Sequence, residues 1–191
     1  MLNGKLAAMR GVTLIELMIG IAIIALLMVF ALPGYQMWIQ NTQIRNAAES
    51  IQNGLQLARN TAVRDNTSVR FRLTDGSGLT SWSVDADNPS VGGIAYNIEV
   101  QKRDGTEASA NARVGADNTI GAWGTALAAG QNLPADVIFN GLGRATGVAR
   151  IDVINSSMSG TRRLVISISP GGLIRMCDPQ LSSSVSPQAC A

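Results

Sequence analysis

The feature that most constrains this chain is an apolar run near its start, which is free of charged residues from Leu17 to Leu32 and stops at Pro33-Gly34. With the two apolar residues before Glu16, the run is nearly or fully long enough to cross a hydrocarbon layer of ~30 Å as one helix. Proline removes an intrahelical hydrogen bond, so we expect the helix to kink at Pro33 without ending there. The run therefore predicts a helix that spans a membrane or packs among other helices.

One carboxylate, that of Glu16, lies near the start of this apolar stretch. An ionisable group inside such a segment costs roughly 2.5–3.5 kcal/mol at mid-bilayer on insertion scales, so it usually has a function and a partner. In an isolated subunit we expect this carboxylate to be unpaired, in or near lipid. The alternative is an ordinary membrane anchor whose Glu16 lies among the lipid headgroups.

The residues at the start of the run resemble the prepilin signature of type IV pilins and type II secretion pseudopilins. In that family a short basic leader ends in Gly, and a hydrophobic residue, Thr, Leu, an aliphatic residue and Glu follow. Here Lys5 and Arg10 make the leader basic, and the signature reads Gly11-Val12-Thr13-Leu14-Ile15-Glu16. Val12 departs from the pattern, because Phe or Met is the usual residue at that position.

The resemblance implies a route of processing and a location. A prepilin peptidase of the inner membrane would cut after Gly11 and remove residues 1–11, and the new amine of Val12 would be methylated. The leader's positive charges would stay in the cytoplasm, giving a single-pass inner-membrane protein over residues 12–34 with its C-terminal domain in the periplasm. From there the protein would reach the pilus tip or the cell surface.

The resemblance also implies which residues act in assembly, namely Thr13, Glu16 and Pro33, the last of which falls where many members break the helix. In a filament of stacked helices the Glu16 carboxylate can meet the free amine of Val12, on the same or a neighbouring subunit. This opposite charge relieves the cost of placing the carboxylate among apolar groups. The implied partners are other minor and major pilins or pseudopilins.

The rest of the chain predicts an α+β fold. Helical spacing continues the helix over residues 12–65, with a buried face made of Ile44, Ala47, Ala48, Ile51, Leu55, Ala58 and Ala62. The period then changes to two, which predicts a β-hairpin at 69–84 and strands at 94–100, 137–139, 148–153, 164–168 and 173–177. The expected layout is a long N-terminal helix packed on a C-terminal antiparallel β domain, 66–191, which is type IV pilin-like.

Residues 104–135 show no sustained periodicity. A connection of that length is either functional or mobile. Its one large aromatic residue is Trp123, which we expect to pin the segment to the core.

Composition excludes several kinds of site. The chain has no histidine, which excludes Ser-His-Asp and Cys-His catalysis and histidine-ligated metals. The sequence suggests no nucleophile–base pair and no metal cluster, so we expect no enzyme activity, no cofactor and no metal. The formal charge of +2 arises from Lys5 and Arg10 of the leader, and the remaining chain is neutral. A globally basic nucleic-acid-binding protein is therefore not indicated.

The two cysteines, Cys177 and Cys190, lie close together near the C-terminus and form no Cys-x-x-Cys motif. In an oxidising periplasm we expect them to form a disulfide. The alternative, two free thiols, would fit a cytosolic protein. A closed loop here would resemble the disulfide loop of type IVa pilins, which is generally a region of subunit contact.

A local excess of arginine marks the C-terminal part, because Val137–Cys177 contains Asp152 as its one acidic residue. Such a basic face can contact DNA phosphates. The arginines of this segment are Arg144, Arg150, Arg162, Arg163 and Arg175, of which we take Arg144, Arg162, Arg163 and Arg175 as candidate DNA contacts.

The length, the early hairpin and the Gly-Gly-x-x-Arg-x-Cys ending resemble the GspH/FimT branch of minor pilins and pseudopilins. Some members carry a Gly-Arg-x-Arg motif that contacts incoming DNA in natural transformation, and here the matching residues are Gly172, Leu173, Ile174 and Arg175. Half of that motif is present. We therefore predict a structural subunit that helps to initiate and assemble a type IV pilus. The alternatives are a DNA-binding minor pilin that acts as a receptor in DNA uptake, and a minor pseudopilin of type II secretion.

Overall fold

The computed structural model describes residues 11–121, 123–158 and 160–190. The predicted leader lies outside the described residues, apart from Gly11. The chain divides into two units, Met1–Trp38 and Ile39–Ala191. One helix, α1, belongs to both units and runs over Leu14–Asp65.

In the first unit the helix exposes apolar side chains on all sides. The large apolar residues from Val12 to Phe30 are 54–79% exposed. Among the described residues no single helix is long and apolar enough to cross a membrane, whereas a bent pair of helical segments, Leu14–Phe30 and Gly34–Asp65, meets the requirements of length and composition together. Residues 31–33 separate the two segments, and they include Pro33, where the sequence predicts a kink.

In the second unit the helix buries one stripe of side chains, as the spacing predicts. All seven members of the stripe are fully buried: Ile44, Ala47, Ala48, Ile51, Leu55, Ala58 and Ala62. The helix ends because Asn66 adopts a left-handed conformation with φ 47°, and the N–H of Thr67 donates to the carbonyl of Ala62. This is the Schellman arrangement, which satisfies carbonyls that the last helical turn leaves without partners.

Beyond α1, the described residues of the second unit form nine strands and one short helix. The elements are β1 (Val69–Leu73), β2 (Trp82–Asp87), β3 (Tyr96–Arg103), α2 (Gly105–Ala108), β4 (Ala112–Asp117), β5 (Ala135–Phe139), β6 (Ala145–Gly147), β7 (Arg150–Asn155), β8 (Leu164–Ile168) and β9 (Ile174–Cys177). They make a first sheet of order β3-β2-β1-β5-β6 and a second sheet of order β4-β7-β8-β9. All strand pairs within both sheets are antiparallel. The predicted α+β fold is confirmed.

The helix approaches the first sheet closely at Gly54. A Cβ on this glycine would lie 2.8 Å from the Phe71 ring, which is tilted against the ring of Trp82 at 5.7 Å between centroids. The indole N–H of Trp82 donates to the hydroxyl of Ser50 one turn earlier in the helix, at 3.1 Å. A glycine at this position therefore lets two aromatic side chains fill the space between helix and sheet.

The sequence pattern does not predict two parts of the β domain. Residues 104–135, expected to be one connection without periodic structure, contain α2 and β4, and no strand is predicted where β6 lies. The core-facing side chains of β4 are small, namely Ala112, Val114 and Ala116, so they give a weak alternation of hydropathy. Between them, Gly115 lies directly against the carbonyl of Ala128, where a Cβ would not fit.

Candidate functional site

The helix begins with a reciprocal pair of hydrogen bonds between Thr13 and Glu16. The N–H of Glu16 donates to Thr13 Oγ1 at 3.3 Å. Glu16 Oε2 accepts from the N–H of Thr13 at 3.2 Å and from its hydroxyl at 3.1 Å. This is a capping box, in which a Thr at the N-cap and a Glu three residues later satisfy each other's backbone donors.

The capping box supplies hydrogen bonds but no opposite charge, so the expectation that Glu16 lacks a charged partner in an isolated subunit stays a prediction. The carboxylate already accepts two hydrogen bonds within its own chain, and it lies in the first turn, where the helix dipole favours negative charge. Both bonds end on Oε2, so Oε1 is the oxygen that a second donor would meet. The site can therefore start the helix and also receive a cation from outside.

The long segment between β4 and β5 is held by a buried cluster of three charged residues. Asp152 is fully buried, and its carboxylate pairs with Arg150 at 2.7 Å and with Arg163 at 2.8 Å. The two guanidinium groups bind the segment's main chain, since Arg150 donates to the carbonyls of Gly121 and Thr125. We call Arg150, Asp152 and Arg163 the buried triad.

Further contacts tie the same segment to the triad. Arg163 donates to the carbonyls of Trp123 and Thr125, and the N–H of Leu127 donates to Asp152 at 3.0 Å. The Arg150 guanidinium lies 5.6 Å from the centre of the Trp123 ring, a cation–π distance. The segment is therefore anchored on the second sheet through charged groups, with Trp123 in contact with one of them.

The segment also begins with a locally stabilised turn. Thr119 donates to Asp117 Oδ1 through its N–H and its hydroxyl, both at 3.0 Å. These two bonds, the main-chain bond first, lower the pKa of Asp117. The turn is thus fixed at the end of β4.

The four candidate DNA contacts have different surroundings. Arg163 is part of the buried triad, with its side chain 12% exposed, so it does not present its charge to solvent. Arg162 donates from Nε to Asp178 at 3.0 Å. Arg144 and Arg175 are exposed, the first in the turn between β5 and β6 and the second on β9. Two of the four arginines are therefore paired with carboxylates, although Arg163 shares Asp152 with Arg150.

The C-terminal tail is a closed loop. Cys177 and Cys190 form a disulfide, so the alternative of two free thiols is wrong. Within the loop the N–H of Asp178 donates to the carbonyl of Gln188 at 2.8 Å, and Arg162 binds the Asp178 carboxylate from outside. Val185 is 84% exposed, so the loop offers an apolar side chain to a partner.

A cleft of about 330 Å³ lies between α1 and the turn that joins β8 to β9. Its lining residues are Gln56, Arg59, Asn60, Gly171, Gly172, Leu173 and Ile174. Arg59 Nε donates to the carbonyl of Gly143 at 3.4 Å, and Gly172, at φ 79°, meets the same carbonyl where a Cβ would not fit. The sequence did not single out Arg59, because spacing along an amphipathic helix does not show which turn of the β domain a polar residue contacts.

The described residues hold no group of three or more histidine, cysteine or acidic side chains that could bind a metal ion.

Comparison with known proteins places these features in a family. Residues 47–172 match the family model described as type II transport protein GspH. Residues 6–32 match the model of the prokaryotic N-terminal methylation motif. No curated protein sequence matches the chain.

Two solved structures share the fold. The type IV minor pilin FimU of Pseudomonas aeruginosa is similar with a TM-score of 0.52 and 19% identity, over 81% of this chain and 99% of that one. The minor pseudopilin EpsH from the type 2 secretion system of Vibrio cholerae is similar with a TM-score of 0.51 and 11% identity, over 73% of this chain and 99% of that one. At these identities the likeness concerns the fold alone.

Proposed function

Because the chain belongs to the GspH family of type II transport proteins, we propose that it is a minor pilin that helps to initiate and assemble a type IV pilus, in a tip or priming complex. Its role is structural, with no catalysis and no cofactor. Its partners are other minor and major pilins, and before assembly it resides in the inner membrane.

The proposal rests on the exposure of apolar side chains in the first unit. The large apolar side chains from Val12 to Phe30 are each 54–79% exposed, so they require a lipid or protein environment to cover them. The capping box at its start leaves Glu16 Oε1 for a cation. After cleavage by a prepilin peptidase behind Gly11, the amine of Val12 supplies that cation on the same or a neighbouring subunit.

The proposed location follows from the same segment. The helix over residues 12–34 crosses the inner membrane once, and the domain from residue 66 onward lies in the periplasm. On assembly the subunit moves to the pilus tip or the cell surface.

The test is a deletion strain complemented with the full chain. We expect loss of surface pili on deletion and their return on complementation, while secretion of type II substrates continues. Normal piliation together with a loss of secretion would contradict the pilus role and favour a minor pseudopilin of type II secretion, the alternative that the family model's description supports.

A DNA receptor is a second candidate, favoured by one observation. Arg59 lines the same cleft as Leu173, the position at which the DNA-contacting motif has its first arginine. The exposed side chains of Arg144 and Arg175 add two positive charges. We rank this function lower, because Arg162 and Arg163 are paired with carboxylates and Leu173 carries no charge.

A further inference from the structure

We infer that Tyr35 and Trp38 form an interfacial anchor that fixes the depth of the helix in a lipid bilayer before the subunit enters a filament. The inference rests on the proposed function, in which the subunit resides in the membrane before assembly. The partner is the zone of lipid headgroups on the periplasmic side.

The two rings form one exposed unit. Tyr35 and Trp38 are one helical turn apart, their ring centroids lie 6.1 Å from each other, and their planes differ by 25°. Both side chains are largely exposed, at 59% and 63%. Tyrosine and tryptophan combine an apolar ring with a polar O–H or N–H group, and for this reason they collect where hydrocarbon meets water.

The pair lies where the composition of the helix changes. The sixteen residues from Leu17 to Leu32 are uncharged and mostly apolar, and polar amides begin at Gln36 and continue with Gln40 and Asn41. The first charged residue after Glu16 is Arg45. The rings thus stand at the boundary between a segment suited to hydrocarbon and a segment suited to water.

The distance along the helix matches a bilayer. Tyr35 lies nineteen positions after Glu16, which at ~1.5 Å of rise per residue is a path of about 28 Å along the helix. The hydrocarbon core is ~30 Å thick. When the aromatic pair occupies one interface, the capping box of Thr13 and Glu16 therefore lies at the opposite one.

This position has a consequence for Glu16. A carboxylate near the interface avoids most of the cost of a charge at mid-bilayer. By holding the other end of the helix, Tyr35 and Trp38 keep Glu16 at the depth where its carboxylate is accessible to the amine of an incoming or neighbouring subunit.

The depth of Trp38 can be measured directly. The full chain is reconstituted into vesicles of phosphatidylethanolamine and phosphatidylglycerol that contain lipids brominated at either shallow or deep acyl positions. Bromine quenches indole fluorescence on contact. The emission of Trp38 is obtained as the difference between the spectra of the unmodified chain and of Trp38→Phe, and its quenching reports the surroundings of Trp38. Trp123→Phe is the matched control, because it also removes one indole, but from a position beside Arg150 on the second sheet. The remaining tryptophan, Trp82, is only 2% exposed, so we expect lipid bromines not to reach it.

We expect shallow bromines to quench the Trp38 emission most strongly, and we expect this quenching to be lost in Trp38→Phe and retained in Trp123→Phe. Strongest quenching by deep bromines, or lipid quenching that is equal in Trp38→Phe and the unmodified chain, would overturn the anchor. So would a Trp38 emission that responds to aqueous acrylamide and to neither lipid, as expected if the rings serve contacts between subunits.

Flotation of the same vesicles separates this outcome from a failure of the proposed function. If the chain does not float with the lipid, residence in the membrane before assembly is itself contradicted. Chain that floats while Trp38 reports water or mid-bilayer contradicts the anchor and leaves the proposed function intact.

Discussion

The hydroxyl of Thr13 lies 3.1 Å from Glu16 Oε2 and accepts the N–H of Glu16 at 3.3 Å. The carboxylate that the family resemblance assigns to assembly therefore also starts its own helix. The two roles make different demands, because a cap needs an acceptor oxygen, whereas pairing with the amine of Val12 needs a negative charge.

Substitutions at Glu16 separate these roles. Glu16→Gln keeps an acceptor for the capping box but removes the charge, and Glu16→Ala removes both. If pairing with the Val12 amine drives assembly, both variants should remain in the membrane and both should be poorly incorporated into pili. The measurement is the ratio of sheared pilus-bound protein to membrane-bound protein. Normal incorporation of Glu16→Gln together with poor incorporation of Glu16→Ala would show that capping alone matters.

Thr13 tests the cap from the other side. Thr13→Val removes the hydroxyl and should destabilise the helix start by about 1 kcal/mol, whereas Thr13→Ser keeps the oxygen and serves as the control. We expect amide hydrogen exchange at residues 14–17 to rise in Thr13→Val only. Equal exchange in the two variants would argue against the cap.

Processing should occur between Gly11 and Val12. An added Cβ at Gly11 meets no atom within 4 Å, so the fold does not oppose a larger residue there. We expect Gly11→Leu to block cleavage, because the peptidase requires a small residue before the cut. The folded domain should be undisturbed, because the added side chain has room. Intact-mass analysis of pilus-bound protein checks this, and the retention of residues 1–11 on assembled subunits would contradict the predicted cut.

The buried triad should be the costliest polar cluster to disrupt. Asp152→Asn leaves the guanidinium groups of Arg150 and Arg163 without their carboxylate, so we expect about 3–5 kcal/mol less stability. Glu49→Gln is the control, because it breaks an exposed pair with Arg45 worth ~0.5 kcal/mol at most. Urea unfolding of the detergent-solubilised full chain measures both. Similar losses in the two variants would mean that the triad does not hold the segment.

The disulfide loop should loosen without its covalent bond. For a closed loop of this size the chain-entropy model gives about 3 kcal/mol, so Cys190→Ser should be less stable and cleaved faster by protease within residues 178–189. The pair between Arg162 and Asp178 should keep part of the loop in place, and Arg162→Ala in the same chain should raise the cleavage rate further. Val185→Ser, at an exposed position, is the control and should behave as the unmodified chain.

DNA binding should be weak and sensitive to salt in the unmodified chain. Leu173→Arg places a second guanidinium in the cleft beside Arg59 and should steepen the salt dependence of binding by about one unit. Val185→Arg adds the same charge on the disulfide loop and controls for net charge. Tight binding of duplex DNA by the unmodified chain at physiological salt would reverse the ranking of the two candidate functions.

The sequence predicts the parts of this fold whose side chains repeat at a fixed spacing. The buried stripe of α1 could be read residue by residue, because its members recur every three or four positions. Strand β4 could not, because its core-facing residues are mostly alanine. The capping box was accessible as a Thr-x-x-Glu pattern at residues 13–16, although the charge of Glu16 directs attention to lipid and to other subunits.

The buried triad shows a different limit. Arg150 and Asp152 stand two positions apart, which puts them on one face of a strand. Arg163, however, reaches them from the position just before β8, and Trp123 from a segment without periodic signal. A local excess of arginine thus predicts a basic surface, whereas the pairing of strands turns two of those arginines into internal ligands of a carboxylate and of main-chain carbonyls.

Among the described residues, five hydrogen bonds join the triad to main-chain atoms of the segment between β4 and β5, at Gly121, Trp123, Thr125 and Leu127. Apart from the contact of the Trp123 ring with Arg150, these attachments do not depend on which side chains the segment carries. Exposed positions such as Ile120 can therefore be exchanged while the segment keeps its path. Subunits that retain the three charged residues could diverge there in the partners they recognise, without redesigning the domain beneath.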